Sequence, residues 1–277
     1  MSKRIAFLTD SGIDLTLEEL DAMGVALVAQ QVIIEGQSYR DVLEISQAQV
    51  IEAQMAGKKM STSQVNPADF TNQYEALLQT HDAVVAVHAS SKVSGTVNTA
   101  KMMAKEFGGR VHIIDSLSLN AGMKYALLKS QQLVEEGVEL DHLQEALNPY
   151  IKQVTVFALP KTLDWVLKSG RINAMQHFAA SLLKILPLLI MEQGEIRPLD
   201  KIRGFPKGIV RISDQLHKRY QSAHVTLIHT ANPEAVEELR RLVTAEGIII
   251  DGVQNVGPAI GVHGGPGITG LVAAPLN

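Results

Sequence analysis

The chain has 277 residues, of which 46% are hydrophobic and 19% are charged, and its 25 Lys and Arg against 29 Asp and Glu give a formal net charge of −4. A charged content below the roughly 25% of an average soluble protein leaves a sizeable core and excludes global disorder, while the acidic balance argues against nucleic acid as a partner. The absence of cysteine excludes a disulfide framework, a thiolate metal site and a Cys nucleophile, and it favours a reducing compartment.

Two apolar runs are considered as a signal peptide or a membrane-spanning segment. Residues 5–8 are far shorter than the apolar region of a signal peptide. Residues 178–191 are interrupted by Lys184 and Pro187 and fall short of the roughly 20 residues that a bilayer span needs. The sequence therefore predicts a soluble cytoplasmic protein rather than an integral membrane protein.

The first half of the chain alternates strand and helix patterns, which is typical of a mostly parallel sheet with helices on both faces. Its predicted strands are 4–8, 25–34, 83–88 and 111–115, and its predicted helices follow Thr16 and Pro67 or span 46–56, 94–107 and 120–136.

The pattern becomes less regular from about residue 154, which indicates a second α/β domain with a mixed sheet. We expect two domains, at 1–153 and 154–277. The second contains predicted strands at 154–159, 194–198, 225–229, 248–253 and 270–274 and helices at 162–169, 173–185, 207–220 and 233–246.

Three hydroxyl clusters stand out, around Ser11, around Thr62-Ser63, and at Ser94-Gly95-Thr96. Ligands of parallel α/β sheets bind beyond the carboxyl ends of the strands, where helix N-termini offer free N–H groups to an anion. Ser94-Gly95-Thr96 opens such a predicted helix. The alternative interpretation is that these residues serve only as helix caps.

The second half offers three cations, Arg171, Lys201 and Arg203, and one imidazole, His263. Glycine and proline on both sides of His263 predict a close-approach backbone that presents this ring, whereas lone cations are usually solvated surface charges. No phosphate-binding loop, nucleophile elbow or metal-ligand spacing accompanies these residues. The set is more typical of an anion-binding pocket than of an active site or a metal site.

The apolar residues are mostly aliphatic, since only 6 Phe, 5 Tyr and 1 Trp occur. This composition fits an ordinary core, and it also fits a tunnel for an alkyl chain. Candidate tunnel residues are Met102 and Met103 or the aliphatic run around Pro187, namely Ile185, Leu186, Leu188, Leu189 and Ile190.

Seven motifs together resemble the DegV family in order and spacing, over nearly the whole chain. They are Phe7-Leu8-Thr9-Asp10-Ser11, Thr62-Ser63-Gln64, Val93-Ser94-Gly95-Thr96, Ile114-Asp115-Ser116, Ser169-Gly170-Arg171-Ile172, Lys201-Ile202-Arg203 and Gly261-Val262-His263-Gly264-Gly265-Pro266-Gly267.

The resemblance implies a three-layer α/β/α N-terminal domain with a parallel sheet and a two-layer C-terminal domain with a mixed sheet. It also implies the fatty-acid-binding subunit of a bacterial fatty acid kinase, which buries one long-chain fatty acid at the domain interface. A separate kinase subunit would phosphorylate the carboxylate with ATP, and an acyltransferase is a further implied partner in phospholipid synthesis. No cofactor, metal or catalytic residue of its own is expected.

Carried over by position, the resemblance makes Thr62, Ser94 and His263 the carboxylate-binding set, with Ser63 and Gly95 beside them. It places Arg171, Lys201 and Arg203 near the pocket mouth. The chain departs from the family pattern at Val65-Asn66, where the family often has Pro-Ser.

Two alternatives stay open at this point. One is a self-sufficient enzyme, either a hydrolase that uses Ser94 with His263 or a kinase similar to dihydroxyacetone kinases. The other is a structural or regulatory interaction protein.

Overall fold

The computed structural model describes residues 3–172 and 185–276. Three sheets organise these residues. A four-stranded sheet has the order β2-β1-β6-β7, and all of its pairs are parallel; its strands are β1 (Ile5–Asp10), β2 (Val25–Val28), β6 (Ala83–His88) and β7 (Val111–Asp115).

Helices cover both faces of this parallel sheet. Strand β6 is buried along its whole length. Since successive side chains of a strand point to opposite faces, both faces of the sheet must be covered at β6. Val84 and Ala86 pack in one apolar cluster and Val85 and Val87 pack in another. The helices of this half are α1 (Leu17–Ala22), α2 (Gln47–Met55), α3 (Pro67–Leu78), α4 (Thr96–Ala104), α5 (Ala121–Glu135) and α6 (Leu143–Ile151).

The second large sheet has the order β10-β9-β8-β13-β11-β12 and is mixed, since β11 and β12 are parallel and its other pairs are antiparallel. Its strands are β8 (Thr155–Leu159), β9 (Ile185–Glu192), β10 (Glu195–Arg203), β11 (Ala223–His229), β12 (Ile248–Asn255) and β13 (Thr269–Ala274), and the helices of this half are α7 (Asp164–Lys168), α8 (Phe205–Arg219), α9 (Pro233–Val243) and α10 (Pro258–Gly264).

Helices α8 and α9 bury Ile212 and Leu239 against the mixed sheet in one apolar cluster. The two-layer arrangement, with the three-layer arrangement around the parallel sheet, confirms the predicted fold class. The predicted boundary at 153/154 falls in the turn between α6 and β8 and stays a prediction.

A third sheet was not predicted. It is antiparallel, has the order β4-β3-β5 and consists of β3 (Gln31–Ile34), β4 (Gln37–Arg40) and β5 (Met60–Ser63). The prediction of one strand over 25–34 is wrong, because the chain leaves the parallel sheet after Val28 and enters this small sheet at Gln31. Glu35 and Gly36 connect β3 to β4 with φ of 51° and 85°, as a two-residue hairpin turn requires.

Strand β9 was also missed by the sequence analysis. The predicted helix at 173–185 lies outside the described residues except for Ile185, which begins β9. Strand β10, predicted at 194–198, extends to Arg203 and pairs with β9 through all of its length apart from an irregularity near Pro198. Within the described part of the chain, no helix is long and apolar enough to cross a bilayer.

Substitution of Gly270 in β13 can test how closely β13 packs against β8 in the mixed sheet. A Cβ atom built at Gly270 would lie 2.0 Å from the backbone oxygen of Phe157 in β8, so a side chain there must push two strands apart. We expect Gly270→Ala to lower the free energy of unfolding by about 2 kcal/mol, the usual scale for overpacking.

The matched control is Gly261→Ala in α10, whose added Cβ would meet only a Val50 methyl at an ordinary 4.0 Å. Helix propensity predicts no loss, and up to about 1 kcal/mol of gain, for that change. Urea unfolding of both variants measures the difference. Equal destabilisation by the two substitutions would contradict this account of the β8–β13 contact.

Candidate functional site

A cavity of about 480 Å³ lies between the elements of the two halves. Thr62 from β5, Ser94 from the turn before α4 and His263 from α10 line it on one side. Strands β8 and β9 contribute Val156 and Leu189 on the other. Its volume is within the range of roughly 300–1,000 Å³ that small-molecule sites occupy.

Thr62 and His263 form the central polar contact of this cavity. Thr62 Oγ1 lies 2.7 Å from His263 Nε2, so the two side chains share a hydrogen bond across 201 positions of sequence. Helix α10 brings them together by packing on the small sheet, where Ala259 and Val262 share an apolar cluster with Val32 of β3. The small sheet therefore positions both partners of the pair.

The glycine-rich segment after α10 has the close approach that the sequence predicts. Gly265 has a φ of 76°, and a Cβ built there would lie 2.2 Å from a ring carbon of Trp165 in α7. The Gly265 N–H donates to Gly261 O at 2.8 Å, so Gly265 is the C-cap residue of α10. A side chain at this position would clash with Trp165 and separate α10 from α7.

Ser94 and Gly95 lie at the start of α4, as predicted. The Ser94 hydroxyl accepts the Thr96 N–H at 3.3 Å and lies 2.9 Å from Thr96 Oγ1, so it also serves the capping role considered for it. A Cβ at Gly95 would lie 2.0 Å from Gln64 Oε1. This contact joins the turn before α4 to the end of β5, and it places Ser94 and Thr62 in one polar wall.

Arg171 adds positive charge to this wall. The residue follows α7, where its guanidinium donates to Ser169 O at 2.7 Å and so folds back over the end of the helix. Burial, and secondarily the charge of Arg171, lower the pKa of His263 to about 4. The imidazole is therefore neutral at physiological pH, and Arg171 is the cation that remains available to an anion.

Aliphatic side chains form the rest of the wall. Among the candidate tunnel residues, Leu189 and Ile190 reach the cavity, whereas Leu186 and Leu188 belong to the core of the mixed sheet. Met102 and Met103 lie elsewhere, one exposed and the other packed on the parallel sheet. Further aliphatic wall residues are Val156, Ala158, Met191, Ile196, Ile228 and Val256.

The eight predicted site residues separate into two groups. Thr62, Ser63, Ser94, Gly95, Arg171 and His263 all line the cavity. Lys201 and Arg203 do not; both are exposed on β10, at one edge of the mixed sheet. Their suggested place at the pocket mouth stays a prediction.

Several polar wall residues were missed. Gln30, Asn120 and Ser169 line the cavity. Asn120 begins a predicted helix and Ser169 belongs to one of the seven motifs, but neither was assigned to the site, and Gln30 carried no local signal. Gln30 lies where the chain passes from the parallel sheet to the small sheet, a crossing that the sequence did not predict.

Asp10 and His88 form a buried support below this wall. Asp10 accepts His88 Nδ1 at 3.0 Å and the Ala89 N–H at 2.9 Å, and its other oxygen accepts Gln30 Nε2 at 2.9 Å. Burial raises the pKa of Asp10, but its interactions with His88 and the hydrogen bonds from Ala89 and Gln30 together outweigh burial, so the net shift is downward. The first hydroxyl cluster therefore builds the scaffold and does not line the cavity.

A family model described as "Uncharacterised protein, DegV family" matches residues 4–276. The chain belongs to the DegV family. The resemblance carried by the seven motifs is confirmed. A DegV domain-containing protein from Deinococcus radiodurans is 34% identical over an alignment of 279 positions that covers 99% of each chain.

Solved DegV structures share the fold over their full length. A DegV family protein from Thermus thermophilus, described for its fatty acid binding, matches with a TM-score of 0.91 and 30% identity over 99% of this chain and 100% of that one. DegV from Bacillus subtilis, a fatty acid binding protein, matches with a TM-score of 0.87 and 25% identity over 99% of each chain.

The low pKa of His263 gives a direct test of the site's electrostatics. In the ligand-free protein we expect the His263 ring to titrate near pH 4. Arg171→Gln removes the neighbouring positive charge and should raise this pKa, because protonation then meets less repulsion. Nitrogen chemical shifts of the imidazole measure both values.

Arg4→Gln is the matched control, since Arg4 is an exposed arginine paired with Asp82 before β1. It should leave the His263 titration unchanged. A His263 pKa that is unmoved by Arg171→Gln would show that burial alone depresses it.

Proposed function

We propose that this DegV protein binds one long-chain fatty acid, with the alkyl chain in the aliphatic part of the cavity and the carboxylate at Thr62, Ser94 and His263. The observation that carries this proposal is the composition of the cavity wall, which is mostly aliphatic and also contains hydroxyls, an imidazole, a guanidinium and the side-chain amides of Gln30, Gln64 and Asn120. The fatty-acid-binding relatives from Thermus thermophilus and Bacillus subtilis support it.

The alkyl chain supplies most of the binding free energy. Burying a 16-carbon chain at roughly 0.8 kcal/mol per CH₂ yields on the order of 10 kcal/mol before the loss of motional freedom is subtracted. Affinity of this size needs little from the head group. The polar wall residues then serve mainly to fix the orientation of the carboxylate.

The head-group residues suit a carboxylate chemically. While Thr62 and His263 share their hydrogen bond, this pair has one hydrogen left to donate to a carboxylate. The Ser94 hydroxyl can donate a second hydrogen bond, and Arg171 supplies the opposite charge. Ser63 and Gly95 lie beside them in the wall. With its two oxygens held by donors, the carboxylate keeps lone pairs free for reaction.

The polar contacts favour a carrier over a Ser/His hydrolase. Among the described residues, His263 Nε2 is paired with Thr62, and Ser94 Oγ is paired with Thr96. A hydrolase would need the histidine ring to bond the serine hydroxyl as its base. The proposal therefore assigns no catalytic residue to this chain.

The carrier would act with a separate ATP-dependent kinase subunit in the cytoplasm. A carboxylate oxygen attacks the γ-phosphorus of ATP, the bond from that phosphorus to the β,γ-bridging oxygen breaks, and ADP leaves. The acyl phosphate product would pass to an acyltransferase of phospholipid synthesis. Lys201 and Arg203, exposed on β10, are the proposed contacts for the kinase.

Filling the cavity tests the binding proposal. Ala158 lines the cavity from β8, so Ala158→Phe places a ring where the alkyl chain would lie. Mass spectrometry of protein purified without detergent should find one fatty acid per wild-type chain. The Phe variant should lose at least about nine-tenths of it, since it removes the space in which the alkyl chain is buried.

Ala68→Phe is the matched control, because Ala68 is exposed in the first turn of α3. It should retain the wild-type lipid content. A wild-type protein that is empty and takes up neither added palmitate nor oleate would refute the proposal.

Ser94→Ala separates binding from presentation of the carboxylate. Because the alkyl chain dominates affinity, lipid retention should fall less than about threefold, whereas phosphorylation with ATP and the kinase subunit should fall about tenfold or more. An equal loss in both assays would contradict this division. Acyl phosphate formed from ATP and fatty acid without a second protein would identify a self-sufficient enzyme instead.

A further inference from the structure

Helix α10, which carries His263, begins without a side-chain cap of its own. Its N-cap residue is Gly257, and Pro258 at the first helical position has no N–H to satisfy. The N–H of Ala259 is therefore the first donor in the helix that needs a partner. No neighbour in sequence provides one.

Asp41 provides this partner from a distant part of the chain. Asp41 Oδ1 accepts the Ala259 N–H at 3.0 Å across 218 positions, and the carboxyl is completely buried. The residue follows β4, and its own N–H donates to Gln30 O at 2.9 Å. Asp41 thus caps α10 from the edge of the small sheet, where the helix dipole favours a negative charge.

The capped residue and the site histidine share one face of the helix. Ala259 and His263 are four positions apart, which places them one above the other on an α-helix, about 6 Å apart along its axis. Asp41 bonds the first of these positions, and Thr62 on β5 bonds the second. The small sheet therefore holds the same face of α10 at two points.

The remaining contacts of α10 keep the helix from sliding. Gln54 Nε2 of α2 donates to Gly261 O at 3.0 Å. Gly257 is closely approached by a second buried carboxyl, since a Cβ there would lie 2.1 Å from Asp14 Oδ1. Because Gln54 holds the middle of the helix, a shift of the first turn would tilt α10 and move His263 relative to Thr62.

We propose that Asp41 is a positioning residue for His263: by capping the first turn of α10 it fixes the depth and orientation at which the imidazole meets Thr62 in the cavity wall. The effect of Asp41 on ligand binding rests on the proposed function. The effect of Asp41 on the geometry of His263 in the ligand-free protein is independent of that function.

The test compares two substitutions of similar size in the full chain. Asp41→Asn keeps an acceptor oxygen for the Ala259 N–H, and Asp41→Leu removes it. In ligand-free protein, the imidazole nitrogen signals of His263, assigned by their loss in His263→Ala, should match the wild type in the Asn variant and shift in the Leu variant. The His263 pKa should also rise in the Leu variant, as the ring moves out of the wall.

Oleate affinity gives the second readout. Because the alkyl chain supplies most of the affinity and Asp41 acts only through one head-group residue, the Leu variant should bind oleate about twofold to threefold more weakly, and the Asn variant with wild-type affinity. The loss must disappear when Asp41→Leu is made in His263→Ala, since a positioning residue acts through the residue it positions. A loss of the same size that persists there overturns the proposal, as do unchanged His263 signals in the Leu variant.

The design separates the two proposals and tolerates an unstable variant. A wild-type protein that does not bind oleate refutes the proposed function, while the His263 signals still decide the role of Asp41. If Asp41→Leu does not fold, Asp41→Ala takes its place. If neither folds, the Asn variant decides: wild-type His263 signals support the proposal and shifted signals overturn it.

Discussion

The packing of α10 onto the three-stranded sheet is the contact on which the rest of the site depends. The helix comes from the last fifth of the chain and the sheet from the first quarter, yet Ala259 and Val262 share an apolar cluster with Val32 and Val50. This cluster closes one side of the cavity and joins Thr62 to His263. Without it, the polar wall would consist of separate pieces on two halves of the molecule.

A consequence of this arrangement is that the apolar and the polar parts of the cavity wall come from different elements. The mixed sheet presents Val156 and Ala158 to the cavity and turns Phe157 and Leu159 into its own core, because alternate residues of β8 point to opposite faces. One strand thus supplies apolar wall and core at once. The hydroxyls and the histidine come from the opposite side, where a strand, a helix start and a helix end converge.

The sequence predicted a strand at each strand of the parallel sheet and at five of the six strands of the mixed sheet, but it did not predict the small sheet as a separate sheet. Strand β6 is buried on both faces and reads as a continuous apolar run, which few other structures produce. Strand β4, Gln-Ser-Tyr-Arg, is mostly exposed and has no apolar alternation to detect. Strand β9 carries no charged residue before Glu192, and such an apolar run does not show whether the segment is a strand or a buried helix. The motifs found Thr62 and His263, but only the tertiary fold reveals that Asp41 and Gln30 support them.

Burial of His263 and Asp41 at this contact makes the folding stability depend on pH in opposite directions. His263 has a pKa of about 4 in the folded chain against 6.5 ordinarily, so its contribution to stability falls as the pH drops from about 6.5 towards 4. Asp41 has a pKa raised by burial to about 6 from 3.8, so its contribution falls as the pH rises from about 4 to 6. The two slopes oppose each other over the same window. Burial therefore disfavours the charged forms of both groups at the α10 contact.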